Sequence, residues 1–144
     1  SMHIREYQHT DLEEALDMDG RRSKRRADKF RCLILQNHYC YVAEEDQKIK
    51  GFIIMEDLGD EVSHYMIQIN SAEKRKGIGR KLVQKVFERI GNKGHISLCV
   101  NTDNETAIKF YESLGFKRSG FTEGYRKGQD KFWYQIDIQS SSSI

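Results

Sequence analysis

Hydrophobic and polar positions follow two rhythms along this chain, and the rhythm switches several times. In Val62–Asn70 alternate residues are apolar, with Tyr65, Ile67 and Ile69 on one face, the period of a half-buried strand. From Gly77 the apolar positions are Ile78, Leu82, Val83, Val86, Phe87 and Ile90, which predicts an amphipathic helix stopped by Gly91 and Gly94. His95–Asn101 reads as a strand. Thr102-Asp103-Asn104-Glu105 fits a capping box with Thr102 at the cap, and the following helix buries Ala107, Ile108, Phe110, Tyr111 and Leu114 before Gly115 ends it. Upstream, Met2–Glu6 is a short strand and Asp11–Asn37 is helical with a break near Gly20. Tyr39–Glu44 and Gly51–Glu56 form a hairpin around the polar turn Glu45–Lys50. Phe116–Thr122 and Lys131–Ile138 close the pattern, joined by the polar stretch Glu123–Asp130. Hairpins and helical crossovers in one series predict a mixed α/β sheet.

Length and composition narrow the class. A chain of 144 residues is expected to form one domain, over residues 1–139, with the serine-rich tail 140–144 disordered. The apolar runs are a few residues long, such as Cys32-Leu33-Ile34-Leu35, against about 20 for a membrane-spanning helix. Cys32, Cys40 and Cys99 are odd in number and far apart, so neither a disulfide framework nor a zinc spacing is expected. The histidines are scattered, and no metal is expected. The expected compartment is a reducing cytoplasm. The net charge of +2 conceals a segment, residues 21–31, that carries +6 and leaves −4 for the rest. Such a segment reads as a solvated helix or as a surface for an acidic ligand.

The segment Lys74-Arg75-Lys76-Gly77-Ile78-Gly79-Arg80 joins a strand to the strongest amphipathic helix. Glycines permit a tight turn and close approach of a ligand. The unpaired amides of a helix's first turn, with basic side chains beside them, favour a phosphate or diphosphate. A P-loop would need Gly-x-x-x-x-Gly-Lys-Ser/Thr, which is absent. A dinucleotide fingerprint would need glycine where Leu82 stands and an acid where Ser97 stands.

A second segment, Asn104-x-x-Ala107-x-x-Phe110-Tyr111-x-x-x-Gly115-Phe116, follows the next strand. Together, in this order and on these elements, the two segments resemble those of the GNAT superfamily of acetyl-CoA-dependent N-acetyltransferases. The resemblance spans about Tyr41 to Ile138, with Lys74 standing where the family has Arg or Gln. It implies a mostly antiparallel sheet of six to seven strands with helices on both faces and splayed central strands. It further implies acetyl-CoA as cosubstrate, its pantetheine arm along Ile67, Gln68 and Ile69 as β-augmentation. The diphosphate would lie on Lys74, Arg75, Lys76, Gly77, Ile78, Gly79 and Arg80, with Asn104 and Ala107 beside the cofactor. Tyr111 would lie near the cofactor sulfur as general acid to the leaving thiolate.

The resemblance leaves the general base open. Ribosomal-protein N-terminal acetyltransferases resemble the chain in size and order, but carry a glutamate where Cys99 stands. Glu56, Asp57, Glu61, His64 and Glu123 are candidates, with Glu56 and His64 taken forward; His64 has a suitable ordinary pKa near 6.5 but lies opposite Tyr65 on its strand. The acceptor side would be formed by residues 18–31 and by Glu123–Asp130, with Tyr125, Arg126, Phe132 and Trp133 as lining candidates. The expected activity is transfer of acetyl to a primary amine of a small molecule or protein, without membrane or nucleic-acid partner and with a homodimer open. The alternatives are a non-catalytic CoA-binding sensor and an RNA- or ribosome-associated basic module.

Overall fold

The computed structural model describes residues 1–20, 27, 28, 30, 37–72 and 77–138. Seven strands form one sheet: β1 (His3–Glu6), β2 (His38–Glu45), β3 (Lys48–Asp57), β4 (Ser63–Ser71), β5 (His95–Asn101), β6 (Lys117–Arg126) and β7 (Gln129–Asp137). Their order is β1-β2-β3-β4-β5-β7-β6. All neighbours are antiparallel except β4 and β5. That parallel pair needs a crossover, which α2 (Ile78–Ile90) supplies. Helix α1 (Leu12–Asp19) precedes β2, and α3 (Glu105–Ser113) links β5 to β6.

The sheet has an apolar cluster on each face. On one, α2 buries Ile78, Leu82, Val83, Val86 and Phe87 against Ile53, Met55, Ile96 and Leu98. Each such side chain contributes about 1.5–3 kcal/mol on full burial. On the other face α1 packs Ala15 and Leu16, with Ala27 and Phe30, against Cys40, Val42, Phe52 and Ile54. Asp11 ties this helix to the sheet: Arg5 donates from Nη1 and Nη2 to its two carboxylate oxygens, both at 2.9 Å. Burial opposes ionisation there, but the Arg5 bonds win and hold the carboxyl below its usual range.

Three features differ from the sequence reading, whereas the break expected near Gly20 is present: the first piece of the Asp11–Asn37 helix ends at Asp19, where Gly20 turns left-handed at φ +76° and donates to the Leu16 carbonyl. Most of residues 21–36 lies outside the described residues. Both hairpins are tighter than their polar stretches suggested: Asp46-Gln47 and Lys127-Gly128 make two-residue turns, every φ positive, so the strands run on through residues predicted as loop. Asn104 rather than Thr102 caps α3, its Oδ1 accepting from the Ala107 amide at 3.2 Å.

The third difference is decisive. Along β3, Met55 pairs with Met66 and Ile54 with Gln68, leaving Ile67 without an opposite residue. This β-bulge resets the alternation. Ile69 therefore joins the α2 cluster, while Ile67 joins the α1 cluster and does not share its face.

Candidate active site

The bulge sits where two neighbouring strands part. β4 and β5 pair only at Ser63–His95, His64–Ile96 and Tyr65–Ser97, although both continue for several residues. Beyond Tyr65 and Ser97 the two backbones do not form a ladder. The resulting cleft opens toward the carboxyl ends of both strands, next to the start of α2.

That helix begins without a side-chain cap. Gly77 occupies the cap position at φ +74°, a conformation L side chains rarely adopt. The first intrahelical bond goes from Lys81 N–H to the Gly77 carbonyl, 3.0 Å, so the Ile78, Gly79 and Arg80 amides have no partner within the helix. Gly79 has a different task. A Cβ on it would lie 3.0 Å from Phe110 Cζ and 3.7 Å from Ile69 Cδ1, so the missing side chain lets α2, α3 and β4 converge. Arg80 Nη2 donates to Ser113 Oγ at 3.1 Å, joining the start of α2 to the end of α3. Lys74, Arg75 and Lys76 lie outside the described residues.

Tyr111, on α3, packs its ring against Phe110 and Phe116. Burial, with a smaller contribution from Cys99, pushes its phenol up to about 12, so it stands protonated at neutral pH. On the opposite face of the sheet a second phenol approaches the cleft: Tyr65 Oη lies 3.2 Å from Cys99 Sγ. Burial, then the Cys99 contact, push Tyr65 well above its ordinary value. Cys99 thus meets the Tyr65 phenol on the α1 face. Ahead of it on β5, Asn101 Oδ1 is buried with no hydrogen-bond partner among the described residues.

The remaining candidates separate cleanly. Glu56 pairs with Tyr65 on one side and His38 on the other, and its neighbours in sequence place it on the α1 face. Among the described residues its carboxylate makes neither a hydrogen bond nor an ion pair. His64 is directed elsewhere: it is 7% exposed, its Nδ1 lies 2.9 Å from Tyr39 Oη, and it occupies the paired end of β4. Burial first, with Arg89 and His95 adding, lowers its pKa, so it is a neutral core group rather than a base at the cleft. Asp57 caps a turn by accepting from Gly59 N–H, Glu61 sits in that turn at φ +72°, and Glu123 is exposed on β6. Gln68 donates from Nε2 to Asp19 Oδ1 at 2.6 Å, which turns its side chain to α1 and leaves only its backbone for the cleft. Asn104 Oδ1 is engaged in its cap. Simple alternation along its strand carries no signal for Tyr65 as a site residue; only the seam with β5 shows that it reaches Cys99.

These features fit a cofactor with a diphosphate and an amide-bearing arm. The bare amides of α2 suit the diphosphate. The unladdered edge of β4 and the orphan Asn101 oxygen suit the N–H groups of the arm. Among the described residues no group of three or more His, Cys, Asp and Glu could hold a metal.

Comparison with known proteins agrees with this architecture. Residues 36–118 match the acetyltransferase (GNAT) domain, and the chain belongs to that family. The [ribosomal protein bS18]-alanine N-acetyltransferase of Salmonella typhimurium is 29% identical over 82 residues, 56% of this chain and 55% of that protein. The solved Escherichia coli ribosomal-protein-S18-alanine N-acetyltransferase superposes with a TM-score of 0.82 at 22% identity, covering 96% of this chain and 95% of that one. A Salmonella typhimurium protein solved with its cofactor acetyl-CoA gives a TM-score of 0.76 at 17% identity, covering 99% and 96%. The chain spans 31% to 55% of the length of the first curated relatives it matches. No helix among the described residues is long and apolar enough to cross a membrane.

Proposed function

We propose that residues 1–139 act as one acetyltransferase domain that moves acetyl from acetyl-CoA directly to a primary amine. The observation that carries this reading is the parting of β4 and β5 beside the uncapped start of α2, with Tyr111 on the next helix. Acetyl-CoA supplies the thioester carbonyl. The α2 amides hold its diphosphate, and the β4 edge beyond the Ile67 bulge holds its arm. A backbone N–H near Ile69 steadies the carbonyl oxygen as negative charge develops there.

Tyr111 gives its proton to the departing sulfur. Its raised pKa keeps that proton available across the physiological range, and a neutral phenol survives the burial that a charged acid would not. The attacking amine loses one proton as the new C–N bond forms. Glu56 receives it, directly or through water, because its carboxylate has no partner among the described residues and shares the α1 face with Tyr65. Holding amine and thioester together supplies much of the remaining acceleration. The free thiols of Cys40 and Cys99 suit a reducing compartment, and we infer the cytoplasm.

Calorimetry with acetyl-CoA, followed by amine-dependent thiol release, tests the reading. Binding together with release supports acetyl transfer. Binding without release on any amine would leave a CoA-binding domain, and absence of binding would remove the cofactor site.

A further inference from the structure

The α1 face of the cleft continues as a row of aromatic rings. Tyr65 and Trp133 have ring centroids 6.3 Å apart, and Trp133 and Tyr125 stand 5.9 Å apart and nearly perpendicular at 86°. Trp133 pairs across the sheet with Cys99, so the row starts at the cleft and runs outward along the β6–β7 hairpin. The indole N–H is already used, donating to Thr122 Oγ1 at 2.9 Å. Trp133 therefore offers a ligand its π face and no donor. Tyr125 is 41% exposed, a large aromatic left open at the end of the row.

The row ends in a cation. The Arg126 guanidinium lies 5.3 Å from the Tyr125 ring centroid. Stacking of this kind holds the guanidinium in place while its N–H edge stays free. Among the described residues no carboxylate lies within ion-pair distance of it. The nearest acids on the hairpin are otherwise placed: Asp130 Oδ1 accepts from the Gly124 amide, and Glu123 is exposed. Lys127 and Lys131 add positive charge beside it. The Arg126 charge also reaches Tyr65, where it counters part of the upward push on the phenol. The carboxylate in line with this row is Glu56, at its opposite end.

From this arrangement we infer that the acceptor is an amine carried on a flat or apolar body that also bears an anionic group, carboxylate or phosphate. The amine lies at the cleft beside Tyr65, the body lies on Trp133 and Tyr125, and Arg126 takes the anion through its paired N–H groups. The inference rests on the proposed acetyl transfer for the place of the amine, and on the hairpin alone for the rest. It gives a direction to selectivity: removing the anion from an otherwise identical amine weakens binding without altering the reacting group.

Trp133 is the only tryptophan in the chain, so its fluorescence reports occupancy of this row without turnover. The full chain with CoA is titrated with benzylamine, 4-(aminomethyl)benzoate and 4-(aminomethyl)phenylphosphonate. One or both anionic amines should half-saturate at a concentration about tenfold lower than benzylamine, the range of one charge-assisted paired contact. Whichever is preferred names the anion. Arg126→Gln should bring that ratio close to one and Arg126→Lys should retain part of it, whereas Lys127→Gln should keep it. Equal half-saturation for all three amines, no titration by any, or a preference that survives Arg126→Gln would overturn the inference. A preference that behaves as expected while acetyl-CoA yields no thiol would instead overturn acetyl transfer and leave the anion-binding corner in place.

Discussion

The two ends of β4 pose opposite problems to the same strand. At its amino end Ser63, His64 and Tyr65 pair with β5, and His64 is buried with its ring nitrogen bonded to Tyr39. Beyond Tyr65 the ladder stops, its phenol meets the Cys99 thiol across the gap, and a bulge at Ile67 reverses which side chains face which helix. The paired end carries the three-residue ladder and buries a histidine as a neutral core group. The open end leaves backbone edges exposed in a cleft, which is tolerable only where a ligand or water completes them. Between them lies one extra residue in the register of β4 with β3. A titratable side chain in the first environment is structural, and the same type in the second would be chemical.

The largest effect that sharpens this contrast belongs to the open end. Tyr111→Phe should lower the acetyl-transfer rate roughly 10²–10⁴-fold, the usual contribution of a positioned acid, while calorimetry shows acetyl-CoA binding little changed. Equal rates would place the acid elsewhere. Next comes the convergence of α2, α3 and β4: Gly79→Val adds a Cβ that would lie 3.0 Å from Phe110 and two methyl groups beyond it. Overpacking of about 1–3 kcal/mol is expected, read as weaker acetyl-CoA binding by about tenfold or more. Gly79→Ala should fall between this variant and the unmodified chain.

At the paired end the expected pattern inverts. His64→Leu leaves the Tyr39 hydroxyl without its partner and should cost about 1–3 kcal/mol in denaturant unfolding, with catalysis per folded molecule unchanged. Its pH signature follows from a folded-state pKa below the ordinary 6.5. As pH falls below about 6.5 the unfolded chain takes up a proton that the native His64 refuses, so stability declines until the native pKa is reached. The slope is at most one proton, about 1.4 kcal/mol per pH unit. Unfolding curves from pH 8 to 5 should therefore flatten in His64→Leu; an identical slope would mean that His64 titrates normally. The smallest effect is Gly77→Ala, where φ +74° strains any side chain by about 1–2 kcal/mol. It should appear as a modest fall in melting temperature with a severalfold loss of acetyl-CoA affinity.

Legibility in the sequence followed the range of the interaction. Helix α2 was readable because its apolar stripe and flanking glycines are local, and its observed limits Ile78–Ile90 match the periodicity. The succession of strand and helix around each motif was also readable, since each motif straddles a strand end and a helix start. Asn104 showed its place but not its duty: its oxygen caps α3, a choice between neighbouring residues that backbone dihedrals made. The hairpin lengths were missed because polar residues at exposed positions look the same in a strand edge as in a loop.

The chain by itself determined its periodicities, the glycine turn into α2 and the phenol on the following helix, because these depend on neighbours within a few residues. Only the tertiary structure decided that Ile67 is bulged, that Tyr65 meets Cys99, and that Trp133, Tyr125 and Arg126 continue the same face. Those placements come from strand register, which is set by the sum of packing on both faces of the sheet, and no local stretch of sequence contains that sum.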